Sequence, residues 1–176
     1  MIEKLDRDRF LFVLEWRRDV RGLSHGLTVN ATRRYFLSLG EEVIPVEYEK
    51  SGKPVFAWGD RHLSVTHCGP FFAAVFAPFP IGIDAERRSE IRPRIAEKFF
   101  SREERGMSFV RAWTAKEAVA KITGEGIGAL HRVRVQEGLA ELDGKKYELE
   151  HLTLGDYLLT LACPLGATAE NLPRSQ

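Results

Sequence analysis

The sequence predicts an α+β protein assembled from two small halves, each a helix followed by a run of antiparallel strands. Three observations predict it. Short apolar or alternating segments are bounded by glycine and proline, as strands joined by turns are. Strand-like segments follow one another directly around Gly69-Pro70 and Pro78–Pro80, the pattern of consecutive antiparallel strands joined by tight turns. A coarse internal symmetry repeats the order helix then strands, with a seam near Pro78–Pro80.

The elements follow in order. Phe10-Leu11-Phe12-Val13-Leu14 reads as a buried strand. Asn30 is placed to cap a helix over residues 31–39, and Gly40 to stop it. Val46-Glu47-Tyr48 reads as a short strand before the turn Ser51-Gly52-Lys53-Pro54. Residues 62–67 alternate, Gly69-Pro70 turns the chain, and the apolar run 71–76 suits a strand covered on both faces. Residues 81–86 continue after Pro78 and Pro80, so consecutive strands with tight turns are expected.

Residues 91–100 carry apolar side chains at helical spacing, and Ser101 with Glu104 forms a capping box for the next helix. A helix over residues 109–122 stops at Gly124. Residues 131–136, 139–142, 145–152 and 157–163 read as strands, with Asp143-Gly144 as a hairpin turn.

Composition narrows the function. The chain has 176 residues, a net charge of +1 and 44% hydrophobic residues, so no global charge marks a nucleic-acid or membrane binder. No apolar run is long enough to span a bilayer. Met1 to Arg9 mixes both charges and lacks a signal-peptide core. Cys68 and Cys163 are expected as free buried thiols, and a cytoplasmic location is the expectation.

Gly82-Ile83-Asp84-Ala85-Glu86 is the most informative segment. On a strand Asp84 and Glu86 point to one face, and two adjacent carboxylates repel unless a cation or proton lies between them. Hard carboxylate oxygens suit magnesium beside substrate phosphates. The plainer reading is an acidic strand end paired with Arg87 and Arg88.

On the helix over residues 109–122, Trp113, Glu117 and Lys121 share a face, and Lys116 neighbours Trp113. Glu117 could add a third carboxylate, and Lys116 or Lys121 a phosphate contact. An amphipathic helix with a core tryptophan explains the same pattern. His67 and Cys68, as strand neighbours, point to opposite faces and make no thiol dyad. Gly124-Glu125-Gly126-Ile127-Gly128 follows a helix, so it is a helix stop and not a dinucleotide loop.

Gly82-x-Asp84-x-Glu86 with Trp113-x-x-Lys116-Glu117-x-x-x-Lys121 resembles the signature of the 4'-phosphopantetheinyl transferases, in particular the surfactin-synthetase-activating type. Ser51-Gly52-Lys53-Pro54, Ser64-Val65-Thr66-His67-Cys68-Gly69 and Phe99-Phe100-Ser101-Arg102-Glu103-Glu104 resemble its other motifs, with Thr66 where serine is usual. The resemblance implies a pseudo-twofold pair of α+β halves with a cofactor cleft between them: a shortened N-terminal half over 1–78, a C-terminal half over 79–165 and a loose tail over 166–176.

It also implies roles. Asp84, Glu86 and Glu117 would hold Mg2+, or Mn2+, against the pyrophosphate of coenzyme A. Lys53, Thr66, His67, Lys116 and Lys121 would contact that substrate, with Glu117, Lys121 and His67 as the catalytic set. The partner would be an apo acyl or peptidyl carrier protein modified on a serine, and the chain would act as a monomer without nucleic acid or membrane. Two other readings use the same residues: a magnesium-dependent phosphodiesterase, and a coenzyme A-binding module without transferase activity. Arg87, Arg88, Arg92 and Arg94 form either a carrier-docking patch or a solvated basic face.

Overall fold

A computed structural model describes residues 2–168; the last eight residues of the expected tail, 169–176, lie outside the described residues. The chain divides into two compact units, one running to Ile81 and including Ala167, the other spanning Gly82–Gly166. Both are α+β and antiparallel.

In the first unit, β1 (Ile2–Lys4), β2 (Phe10–Glu15), β5 (His62–Cys68) and β6 (Phe71–Ala77) form a sheet in the order β1-β2-β6-β5. A hairpin of β3 (Val46–Tyr48) and β4 (Pro54–Phe56) stands apart from it. Every residue of β6 is buried, as its unbroken apolar run requires. Helix α1 (Ser24–Leu39) covers one face, where Tyr35 stacks on Phe76 at 4.5 Å between ring centroids and Ala31 and Phe36 join Phe12 and Phe72 in the core.

Helix α1 begins earlier than its sequence signals. Asn30 lies inside it, where its Oδ1 accepts from Arg34 Nε at 3.1 Å. The helix grows out of the 3-10 turn Arg21–Leu23, with no side-chain cap at Leu23. Gly40 closes it as expected, in the left-handed conformation at φ 69°.

In the second unit, β7 (Gly82–Arg87), β8 (Arg134–Gln136), β9 (Leu139–Leu142), β10 (Lys145–Leu154) and β11 (Tyr157–Pro164) form a sheet in the order β7-β11-β10-β9-β8. The expected hairpin between residues 71–76 and 81–86 is therefore not formed. Strand β7 leaves β6 and pairs with β11, with Asp84 opposite Thr160 and Glu86 opposite Leu158. The prolines at 78 and 80 mark a passage between sheets.

Two helices precede β8. Helix α2 (Pro93–Phe99) is shorter than its periodicity suggests and starts on a proline, which needs no amide hydrogen bond there. The reciprocal Ser101–Glu104 box forms, Ser101 N donating to Glu104 Oε2 at 2.7 Å and Glu104 N to Ser101 Oγ at 3.3 Å. It opens only a 3-10 turn, Glu104–Gly106, before α3 (Phe109–Thr123) starts.

Helix α3 packs Ala112, Ala115, Ala118 and Val119 into a core with Val133, Leu142, Tyr147 and Ala162. Small residues let it approach closely. At Gly82 the approach is closest: a Cβ there would overlap the carbonyl oxygen of Ala118, with Ile122 Cγ1 only 3.1 Å away. Glycine is what lets β7 run directly beneath α3.

Candidate active site

Gly82 also fixes which way the carboxylates point. Its absent side chain faces α3, so the two-residue period of β7 turns Asp84 and Glu86 to that same face. Both are nearly enclosed, 7% and 9% exposed. From α3, Glu117 and Lys121 come to meet them one turn apart.

Lys121 Nζ lies 2.8 Å from Asp84 Oδ1 and donates to the Ile83 carbonyl at 2.9 Å. Arg92, at the start of α2, lies 3.2 Å from Glu86 Oε1 and 3.3 Å from Oε2. Glu117 is half-buried, and burial together with the charges of Asp84 and Glu86 pushes its carboxyl up to about 7, against the pull of Lys121 and Arg92. Three carboxylates therefore act on one another across β7 and α3. Among the described residues they are not drawn together into a group that would hold a metal ion; cationic side chains engage two of them.

A buried hydroxyl chain supports this face. Thr114 Oγ1 on α3 and Thr160 Oγ1 on β11 are 2.6 Å apart, and Thr160 reaches His151 Nδ1 at 2.8 Å. Thr114 also donates to the Val110 carbonyl at 2.8 Å. Because Thr160 sits opposite Asp84, the chain ties α3 to the sheet beside the carboxylates. Trp113 is core: buried, with Phe99 and Phe109 rings 5.9 Å and 6.4 Å away.

Lys116 requires a correction. It is expected beside Lys121 as a phosphate contact, yet it is 0% exposed and pairs with Glu104, 1% exposed, at 2.9 Å. Its ammonium also donates to the carbonyls of Val133 and Leu130 and lies over the Phe100 ring. Glu104 in turn accepts from Val135 N at 2.7 Å and from Ser101 N. One residue before Glu117 is about 100° around the helix, and that turn sends Lys116 into the core. The pair binds α3 to the Glu104 turn and β8.

Three predicted residues lie in the first unit. His67 is exposed and Thr66, its neighbour on β5, is buried on the opposite face, so the two side chains do not share one place. His67 lies within electrostatic reach of Asp19, whose carboxylate hydrogen-bonds to Arg21. Lys53 is half-buried in the turn between β3 and β4, and burial lowers its pKa. Its charge acts on His62, at the other end of β5 from His67. Cys68 and Cys163 are free thiols, Cys163 buried and Cys68 partly so. No helix among the described residues is long and apolar enough to cross a membrane.

The residue missed by sequence reasoning is Arg92. It is engaged with Glu86 and Glu90. Arg87 lies over the Tyr157 ring, and Arg88 and Arg94 are exposed. The one available signal was its place six residues after Glu86 in a run of alternating charge.

The chain is similar to the 4'-phosphopantetheinyl transferase psf-1 of Bacillus pumilus, 31% identical over 132 residues, covering 68% of this chain and 55% of the relative. It is similar to gsp of Aneurinibacillus migulanus, 28% identical over 137 residues, covering 72% and 57%. Sfp of Bacillus subtilis is 30% identical over 108 residues, covering 54% and 47%. All three bear the name 4'-phosphopantetheinyl transferase, and the chain spans about half the length of these relatives. Residues 80–162 match the family model described as the 4'-phosphopantetheinyl transferase superfamily. That segment holds Asp84, Glu86, Glu117 and Lys121, and through it the chain belongs to the 4'-phosphopantetheinyl transferase superfamily.

Proposed function

We propose that this protein transfers the 4'-phosphopantetheine group of coenzyme A to a serine of an apo acyl or peptidyl carrier protein, releasing 3',5'-ADP. The supporting observation is the meeting of Asp84 and Glu86 with Glu117 and Lys121 on one face of the second unit, inside the family-matched segment. In this reading the serine oxygen bonds to the phosphorus that carries the pantetheine arm. The bond from that phosphorus to the bridging oxygen breaks, and the bridging oxygen leaves on 3',5'-ADP with the electron pair.

The serine proton goes to Glu117. Glu117 meets Asp84 and Glu86 on this face, and a carboxylate at that place is the candidate general base. Lys121 Nζ, now on Asp84, supplies positive charge where the leaving phosphate gains negative charge.

Asp84, Glu86 and Glu117 are the residues that would hold Mg2+ or Mn2+. The donor set is all carboxylate, which suits such an ion once Lys121 and Arg92 give up Asp84 and Glu86. The pKa of Glu117 is raised by burial and by the charges of Asp84 and Glu86, and a cation would relieve the charge. A bound ion would supply charge stabilisation to the diphosphate oxygens. Lys53 and His67 are carried forward as phosphate contacts of the first unit, and Lys116 is not.

The test incubates the protein with apo carrier, coenzyme A and magnesium and reads the carrier's intact mass. A gain of one phosphopantetheine, lost with EDTA and in Glu117→Gln, is expected. Release of 3',5'-ADP with no carrier present would instead identify a hydrolase.

A further inference from the structure

We infer that Arg92 is a built-in counter-cation for Glu86, which it holds until a divalent cation takes its place, so that Arg92 sets how tightly the site binds metal. The inference rests on the reading of Asp84, Glu86 and Glu117 as metal carboxylates.

Arg92 is positioned by its backbone. It precedes Pro93, and its carbonyl accepts from Ile95 N at 3.0 Å and Ala96 N at 3.1 Å, anchoring the residue at the start of α2. From there the guanidinium turns back towards β7. Nη1 lies 3.2 Å from Glu86 Oε1, and Nη2 donates to Oε2 at 3.3 Å. A planar fork thus engages both oxygens that a metal would need.

The third nitrogen explains why the hold is releasable. Nε donates to Glu90 Oε1 at 3.0 Å, so a guanidinium that gives up Glu86 keeps a carboxylate partner. Arg92 is 39% exposed, and water also receives it. No buried cation is stranded by the exchange, which is the condition that makes breaking an ion pair inexpensive. Lys116 shows the opposite arrangement: it is fully enclosed, and losing Glu104 would leave its charge in the core.

The probe is Mn2+ alone, titrated calorimetrically at fixed pH and ionic strength into chelator-treated wild type, Arg92→Gln, Arg92→Lys and Arg94→Gln. Arg94 is the control for simple loss of a nearby positive charge, since it is exposed and outside the site. Arg92→Gln is expected to bind Mn2+ about two- to fivefold more tightly than wild type, the range a partly exposed bidentate pair would supply. Arg92→Lys, which keeps the charge but not the fork, is expected to fall between them. Affinity in Arg92→Gln equal to or below wild type, or a gain no larger than that of Arg94→Gln, overturns the inference and leaves the metal reading standing. Absence of saturable Mn2+ binding in all four proteins overturns both.

Discussion

Replacing Glu117 by glutamine should stabilise the protein at alkaline pH while abolishing the proposed activity. The carboxyl is raised from 4.5 to about 7 by burial and by Asp84 and Glu86. Between those values the folded protein binds the proton more readily than the unfolded chain, so stability falls as pH rises from about 4.5 to about 7 and then levels off. At about 1.4 kcal/mol per pH unit the full displacement corresponds to roughly 3 kcal/mol. Glu117 keeps some contact with water, and we discount this to about 1–2 kcal/mol.

Glutamine has the same shape and no charge, so it removes that cost. For a chain of this size the melting temperature at pH 8.5 should rise by about 3–6 °C in EDTA, and by little at pH 4.5. Differential scanning calorimetry at both pH values gives the answer. An equal gain at both, or a less stable variant at pH 8.5, would refute the claim that burial and its neighbours disfavour ionised Glu117.

The same face makes further demands. Gly82→Ala places a Cβ against the Ala118 carbonyl; the helix must lift, and a loss of about 1–3 kcal/mol is expected in urea unfolding, with weakened Mn2+ binding as Glu117 moves from Asp84. Glu104→Gln strands the buried charge of Lys116 and should cost about 3–5 kcal/mol by the same assay, whereas adding Lys116→Met should recover most of it. Mass-shift activity retained by that double variant would confirm that Lys116 touches no substrate. Burial lowers the pKa of His62 and His151 from 6.5, so the unfolded chain takes up protons first and stability falls with acidification below about 6.5. Glu117 works in the opposite direction, so this slope is best measured between pH 7 and 5.5 in the Glu117→Gln background, where His151→Gln should reduce it.

What the sequence reveals depends on whether a signal is local. The end of α3 at Gly124, the Asp143-Gly144 hairpin and the wholly buried β6 follow from neighbouring residues, and they form where expected. The start of α1 does not, because no capping side chain marks Leu23 and the helix extends a 3-10 turn. Nor does the departure of β7 from β6: Pro78–Pro80 reads alike as a hairpin or as a passage between sheets, and the choice belongs to β11, seventy residues away. Carboxylates two apart on a strand and four-residue spacing on a helix pair Asp84 with Glu86 and Glu117 with Lys121, but only the family resemblance joins the two pairs. Arg92 could not, since its direction depends on how α2 begins.

Lys116 shows why a motif needs its geometry. Trp113-x-x-Lys116-Glu117-x-x-x-Lys121 reads as one functional string, but α3 has two sides and the string winds across both. Glu117 and Lys121 meet the carboxylate strand. Lys116 goes inward to Glu104, and Trp113 to Phe99 and Phe109. The inward pair is exposed to no ligand, yet it fixes the rotation of α3, and that rotation decides where Glu117 points. A crowded carboxylate beside two others moves away from them if its helix is free to turn. The Glu104–Lys116 ion pair, the Thr114–Thr160 hydroxyls and the missing Cβ of Gly82 deny that freedom from three directions. Half the motif is therefore scaffold, and its work is to keep Glu117 beside Asp84 and Glu86.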